Sequence, residues 1–363
     1  MQLVDWRLAA TTGTRLVPPG PKIGLSEAVA TVEDLHRKAA QADAHVASAT
    51  GLDVARDSAA TVVVDRPDWI RANVESFQVL VDPIVEALLE RKADKPPSPL
   101  TVTIGSRAAG IEVGVLLGYL ATRVLGQFEL LGPPQSADDD ERSPGRLTLV
   151  APNIVAAERG LAVDPSDFRL WVCLHEVTHR TQFASAPWLH RHVQDLLREF
   201  LLLSDLDAAA LLDRLRSAAS GINDVARGRR EASLVELIQT PEQRAVLDRI
   251  TGLMSLLEGH ADVVMDLVGP SVIPSVGTIR QRFDRRRQQA NPVAKIVRRL
   301  LGIEMKLKQY AEGAAFVRAV IASVGMPGLN VVWSSPEQLP SGAEIRDPAA
   351  WLRRVGMPPA VSA

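Results

Sequence analysis

Apolar positions along most of the chain recur at three- and four-residue spacing, the pattern of helices that bury one face. Residues 26–48 carry this period, and Ser26 can cap its start. Pro67 suits the first turn of a helix reaching about Leu89, and a second helix is predicted over 106–130. A helix capped by Ser166 or Asp167 runs through Trp171, Leu174 and His179 until Pro187 interrupts it. Further helices are predicted over 189–203, 205–219, 231–238, 241–268, 280–289 and 292–324. Strand-like runs are short: ATVVVD at 60–65, LTLV at 147–150 and a trace at 331–333. Breaks separate these elements. Residues 1–25 read as irregular, as do 93–99, 269–277 and the tail from Met326. The acidic, proline-rich stretch 133–145 reads as an exposed loop.

Composition fits this helical picture. Of the 363 residues, 46% are hydrophobic and only 4% aromatic, with Ala, Leu, Val and Arg prominent. A formal net charge of −2 provides no global field toward nucleic acid or anionic lipid. The single cysteine, Cys173, excludes an internal disulfide framework and fits a cytoplasmic location. No signal-peptide pattern opens the sequence. The longest weakly polar stretch, 108–131, carries Glu112, Arg123, Gln127 and Glu129, so no transmembrane segment is expected. Within it Gly110, Gly114 and Gly118 form a small-residue stripe suited to close helix packing.

The chemistry concentrates in WVCLHEVTHRTQF. His175 and His179 lie four apart, one turn along the same helix face, where two imidazoles can share one tetrahedral Zn2+. Glu176 beside them can act as the base that takes a proton from water. With seven histidines in the chain, the pattern arises by accident about once in a hundred such sequences. Cys173 points away from the ligand face and reads as packed.

A third ligand must come from elsewhere. An extended pattern with a third nearby histidine is excluded, because Gln182 and Ser185 stand at the matching positions. The downstream segment LLEGHAD offers Glu258, and Asp262 one turn later could orient an imidazole by accepting a hydrogen bond from it. His260 is the competing ligand. It lies about 200° around a regular helix from Glu258, so the two are alternatives.

Other polar residues have plainer readings. His190 and His192 read as surface or cleft-lining groups. The basic cluster Arg280, Arg282, Arg285, Arg286 and Arg287 reads as a solvated helix face laced with ion pairs, and no nucleic-acid partner is expected. Tyr310 is a candidate donor to a developing oxyanion, or an amphipathic packing residue.

The segments VLGQFEL at 124–130, LVAPNI at 149–154, FRLWVCLHEVTHRTQF at 168–183, PWL at 187–189, LLEGHADVVMD at 256–266 and KLKQYAEGAAFV at 306–317 resemble a family of zincin-like actinobacterial proteins. One branch of that family is associated with biosynthesis of a deazaflavin coenzyme. The resemblance implies a zincin-like fold and a hydrolase role. It carries the metal pattern onto His175, Glu176, His179 and Glu258, and matches Asp262 to an outer carboxylate.

The expectation is a mainly helical α+β protein with a small sheet and two lobes. The first, 1–187, ends in the helix of the HExxH motif. The second, 188–363, carries the third ligand, and LTLV would be the edge strand that aligns a substrate. The expected activity is zinc-dependent hydrolysis of a peptide bond. A zinc amidase acting on a small molecule and a non-catalytic zincin-like binding protein are the alternatives.

Overall fold

The computed structural model describes residues 3–52, 60–91, 99–129, 145–203, 241–288 and 303–357. The expected helices at 205–219 and 231–238 and most of the acidic loop lie outside the described residues, as do the side chains of Arg287 and Tyr310.

Helix α1 (Trp6–Leu16) occupies a stretch expected to be irregular. Asp5 caps it by accepting from the Leu8 N–H at 2.9 Å, while Trp6, Ala9 and Gly13 turn inward. Its partner is α4 (Pro99–Leu120), which carries the glycine stripe. A Cβ on Gly114 would lie 2.5 Å from the Ala9 carbonyl oxygen, and one on Gly110 2.5 Å from that of Asp5. The stripe therefore serves helix packing inside the protein. Helix α2 (Leu25–Thr50) starts from Gly24 without a side-chain cap, so Ser26 does not play that part. Helix α3 (Arg66–Arg91) follows the first strand.

The sheet has three strands: β1 (Thr61–Val64), β2 (Gly126–Glu129) and β3 (Arg146–Val150). Their order is β1-β3-β2, with β3 parallel to β1 and antiparallel to β2. LTLV is therefore the central strand, paired on both sides, not the edge strand expected of it, and the edges are β1 and β2. That strand lies where the helix predicted over 106–130 was to continue. The chain alternates there: Gln127 bonds Trp69 and Asn73, while Phe128 stacks on Phe183 at 5.3 Å. Buried Glu129 closes the strand by bonding Arg146 and Thr148.

Helix α5 (Ala151–Leu161), with Pro152 in its first turn, leaves β3 directly. Helix α6 (Pro165–Ser185) is capped by Asp164, earlier than expected, and α7 (Pro187–Leu202) follows after Ala186 alone. Helix α8 (Pro241–Val268) matches its predicted bounds, and α9 (Val276–Gln288) and α10 (Ile303–Leu329) come next. At Gly325 the backbone of α10 leaves helical geometry (φ 74°), which only glycine adopts without strain. The strand trace at 331–333 is instead a 3-10 turn, Asn330–Trp333. Two short helices, α11 (Gly342–Arg346) and α12 (Pro348–Arg354), finish the described chain.

Helix α6 runs through the middle. Its Leu174, Cys173 and Val177 are fully buried with Leu35, Ala42 and Val46 of α2, Leu147 and Leu149 of β3, and Val264 and Met265 of α8. Burial of each large aliphatic side chain stabilises the fold by about 1.5–3 kcal/mol. A second cluster joins Phe183 and Leu189 to Leu256 and Leu257 of α8, Phe316 and Val320 of α10, and Trp351. Helices α8 and α10 cross with backbones almost touching, because a Cβ on Gly313 would overlap the Ser255 carbonyl. The segment Ala311–Trp333 is long and apolar enough to cross a membrane by length and composition alone; its backbone leaves helical geometry at Gly325, and Gly313 packs on α8.

Candidate metal centre

Three constraints bring the functional side chains together. Helical periodicity stacks His175 over His179. The apolar faces around them fix α6 between α2 and α8. The α8 face that buries Leu256, Leu257 and Ala261 turns Glu258 toward α6. The Nε2 atoms of His175 and His179 are 3.2 Å apart. Glu258 sets one carboxylate oxygen 3.5 Å from His175 Nε2 and the other 4.0 Å from His179 Nε2. All three donors fall within 4.8 Å of one another.

This donor set fits zinc. With bonds of about 2.0–2.1 Å, the edge of a tetrahedral site is about 3.4 Å, close to the observed separations. Two imidazoles and one carboxylate are also the complement of a catalytic zinc site that keeps a position open.

Burial opposes a charge on His175, but the Glu258 carboxylate, helped by Glu176 and Asp262, raises its pKa to about 9. Burial and the charge of His175 lower His179. Burial, together with the Glu258 charge and against the pull of His175, raises Glu176 to about 7. A carboxyl group held near neutrality can exchange a proton with water in both directions. Glu176 is buried against β2: a Cβ on Gly126 would lie 2.6 Å from its Cγ.

The remaining candidates fall elsewhere. His260 is fully buried, is not one of the converging donors, and faces Gln182 Nε2 through Nδ1 at 3.0 Å. Burial, reinforced by His179, pushes its pKa down to about 3. Asp262 does not orient an imidazole directly. Its carboxylate lies 3.9 Å from Arg280 and reaches His175 only as a charge. The group bonded to His179 Nδ1 is Gln182, through Oε1 at 2.9 Å. Sequence reasoning passed over Gln182, weighing it only as a missing histidine. Its position, three residues after His179 on the same face, was the available signal.

His192 lies edge-on to Trp188 on α7, and burial lowers both it and His190. Cys173 is packed with Sγ 3.9 Å from the Leu35 carbonyl oxygen, and burial pushes its thiol far up, so it is no nucleophile. In the basic cluster Arg280 pairs with Asp266, and Arg282 bonds the carbonyls of Leu161 and Ala162 at the end of α5. These two arginines serve structure. Tyr310 belongs to α10, and its side chain lies outside the described ones.

Comparison with known proteins supports a hydrolase. A crystal structure from Chloroflexus aurantiacus, described as "a putative hydrolase with a novel fold", superposes with a TM-score of 0.69. It is 32% identical over 97% of this chain and 99% of its own. No curated protein matches. The family model of the zincin-like metallopeptidases matches residues 4–352, the span that folds around His175, His179 and Glu258, and the chain belongs to that family.

Proposed function

We propose that the chain is a zinc-dependent hydrolase that cleaves the amide bond of an extended peptide. The observation that carries this reading is the meeting of His175, His179 and Glu258 beside a buried Glu176. When bound by these three residues, zinc supplies Lewis acidity to a water and to a carbonyl oxygen. Glu176, buried beside the three ligands, takes a proton from the attacking water and delivers it to the leaving nitrogen. Tyr310 is the proposed hydrogen-bond donor to the oxyanion. The substrate backbone aligns on β2, which has no second strand partner among the described residues and packs on Glu176 at Gly126. A peptide chain, rather than a compact small molecule, suits pairing along a strand edge.

The test is a zinc-loaded preparation of the full chain assayed on a library of internally quenched peptides. Glu176→Gln should keep one bound zinc and lose about 100-fold or more in rate. A wild-type rate in that variant, or a wild-type chain that takes up no zinc, would overturn the proposal.

A further inference from the structure

Gln182 lies fully buried between the two ligand helices and touches three groups. Its Nε2 is 2.9 Å from the Leu257 carbonyl oxygen and 3.0 Å from His260 Nδ1, and its Oε1 is 2.9 Å from His179 Nδ1. A carbonyl can only accept, so the amide nitrogen of Gln182 must face Leu257. That contact fixes the orientation of the side-chain amide independently of the histidines. Its oxygen therefore faces His179, and since that oxygen can only accept, Nδ1 must carry the hydrogen. The lone pair of His179 is left on Nε2, the atom 3.2 Å from His175 Nε2. The second amide hydrogen of Gln182 faces His260 Nδ1, which accepts. The hydrogen of His260 then sits on Nε2, an atom with no hydrogen-bond partner among the described residues, in a ring packed against Trp333.

We propose that Gln182 is a positioning residue that presets the metal-binding tautomer of His179 and ties it to the α8 backbone next to Glu258. The proposal rests on the metal-site reading above. Leu257 precedes Glu258, so one side chain holds a ligand of α6 at a fixed distance from the peptide unit that carries the ligand of α8. An aspartate at that place would accept from His179 but could not donate to Leu257 or His260. The amide satisfies all three neighbours without burying a further charge. His260 is thus the end of a hydrogen-bonded chain, which explains a buried histidine two residues from a ligand that does not itself join the donor set.

Two measurements test this. In the zinc-free wild-type chain, long-range proton–nitrogen NMR on labelled histidine should show His179 in the Nδ1–H form and His260 in the Nε2–H form. His179 in the opposite tautomer overturns the proposal without any variant. Competition with a chromogenic chelator then compares zinc affinity. Gln182→Met, close in size but offering only a weak sulfur acceptor and no donor, should weaken zinc binding about 10- to 100-fold. Gln182→Glu, which restores an acceptor for His179 but cannot donate to Leu257 or His260, should recover only part of that loss. Equal affinity in wild type and Gln182→Met overturns the positioning role while leaving the metal site intact. Failure of the wild type to bind zinc at all strikes instead at the metal-site reading. If Gln182→Met does not fold, the wild-type tautomer still decides.

Discussion

Gly126 and Glu176 illustrate how a single hydrogen atom can govern a site. The strand passes so close to Glu176 that a methyl group on residue 126 would lie 2.6 Å from Cγ and 2.7 Å from Cδ, well inside van der Waals contact. Gly126→Ala should therefore leave His175, His179 and Glu258 free to bind zinc but push the base out of place. The expected outcome is zinc affinity within about threefold of wild type and hydrolysis down at least 100-fold, since about 1 Å of misplacement can cost that much. Titrating zinc and assaying the same preparation separates the two effects. Unimpaired hydrolysis would show that the strand does not position Glu176. The sequence announced Glu176 by its place in the motif, but not Gly126, whose demand comes from a residue 50 positions away. The outcome at Asp262, which spacing named, and at Gln182, which it passed over, has a related reason. Spacing lists which residues could reach an imidazole, whereas the winner depends on what else competes for each side chain. The Asp262 carboxylate lies 3.9 Å from Arg280, which pairs with Asp266, and among the described residues only Gln182 meets Leu257, His260 and His179 together.

Among whole elements, α8 and α10 show the tightest approach. Any side chain on Gly313 would run into the Ser255 carbonyl, and one on Gly259 into the Gly313 backbone. Gly313→Ala should destabilise the protein by about 1–3 kcal/mol, the usual cost of forcing extra volume into a packed interface. Chemical denaturation monitored by tryptophan fluorescence would measure it. Because Gly259 adjoins Glu258, the variant should also loosen the zinc site. A midpoint unchanged from wild type would mean that the two helices separate freely. Most helices were legible from their apolar spacing, and α8 was read to its ends because Pro241 and Gly269 punctuate both. Several of the misreadings have a plain physical reason. Helix α1 is short and amphipathic, so the break VPPGPK at 17–22 dominated its reading. Strand β2 follows an apolar helix and has only four residues, too few for a period to show. The central place of β3 is a pairing between strands far apart in sequence, which no local pattern encodes.

For the molecule as a whole, the proposed zinc centre would couple folding, proton binding and metal binding. In the zinc-free chain the pKa of His175 is raised above its ordinary value of 6.5 to about 9. The stability gained from its pairing with Glu258 is thus fully present below pH 6.5 and is lost as pH rises through about 9. Glu176 is also raised, from an ordinary 4.5 to about 7, because its burial favours the neutral acid. Its contribution is present below pH 4.5 and disappears as pH rises through 7. Both groups act in one direction, so they lower the stability of the zinc-free protein between about pH 6.5 and 9, above the range where the depressed histidines His179 and His260 act oppositely. Zinc has the opposite dependence. It requires a neutral His175, so each ion bound below pH 9 displaces a proton, and apparent affinity strengthens by at most about tenfold per pH unit, or about 1.4 kcal/mol. The interval in Tm between loaded and zinc-free protein should therefore widen steadily from pH 6.5 to 9 at fixed free zinc. Glu258→Gln, which removes the charge that raises His175, should flatten that slope while also weakening the metal. Paired thermal melts in buffers of constant zinc activity would record both effects. A gap that narrows with pH would mean that the imidazole and the cation do not compete for the same nitrogen, and the His175–His179–Glu258 centre would then have to hold its ion by other atoms.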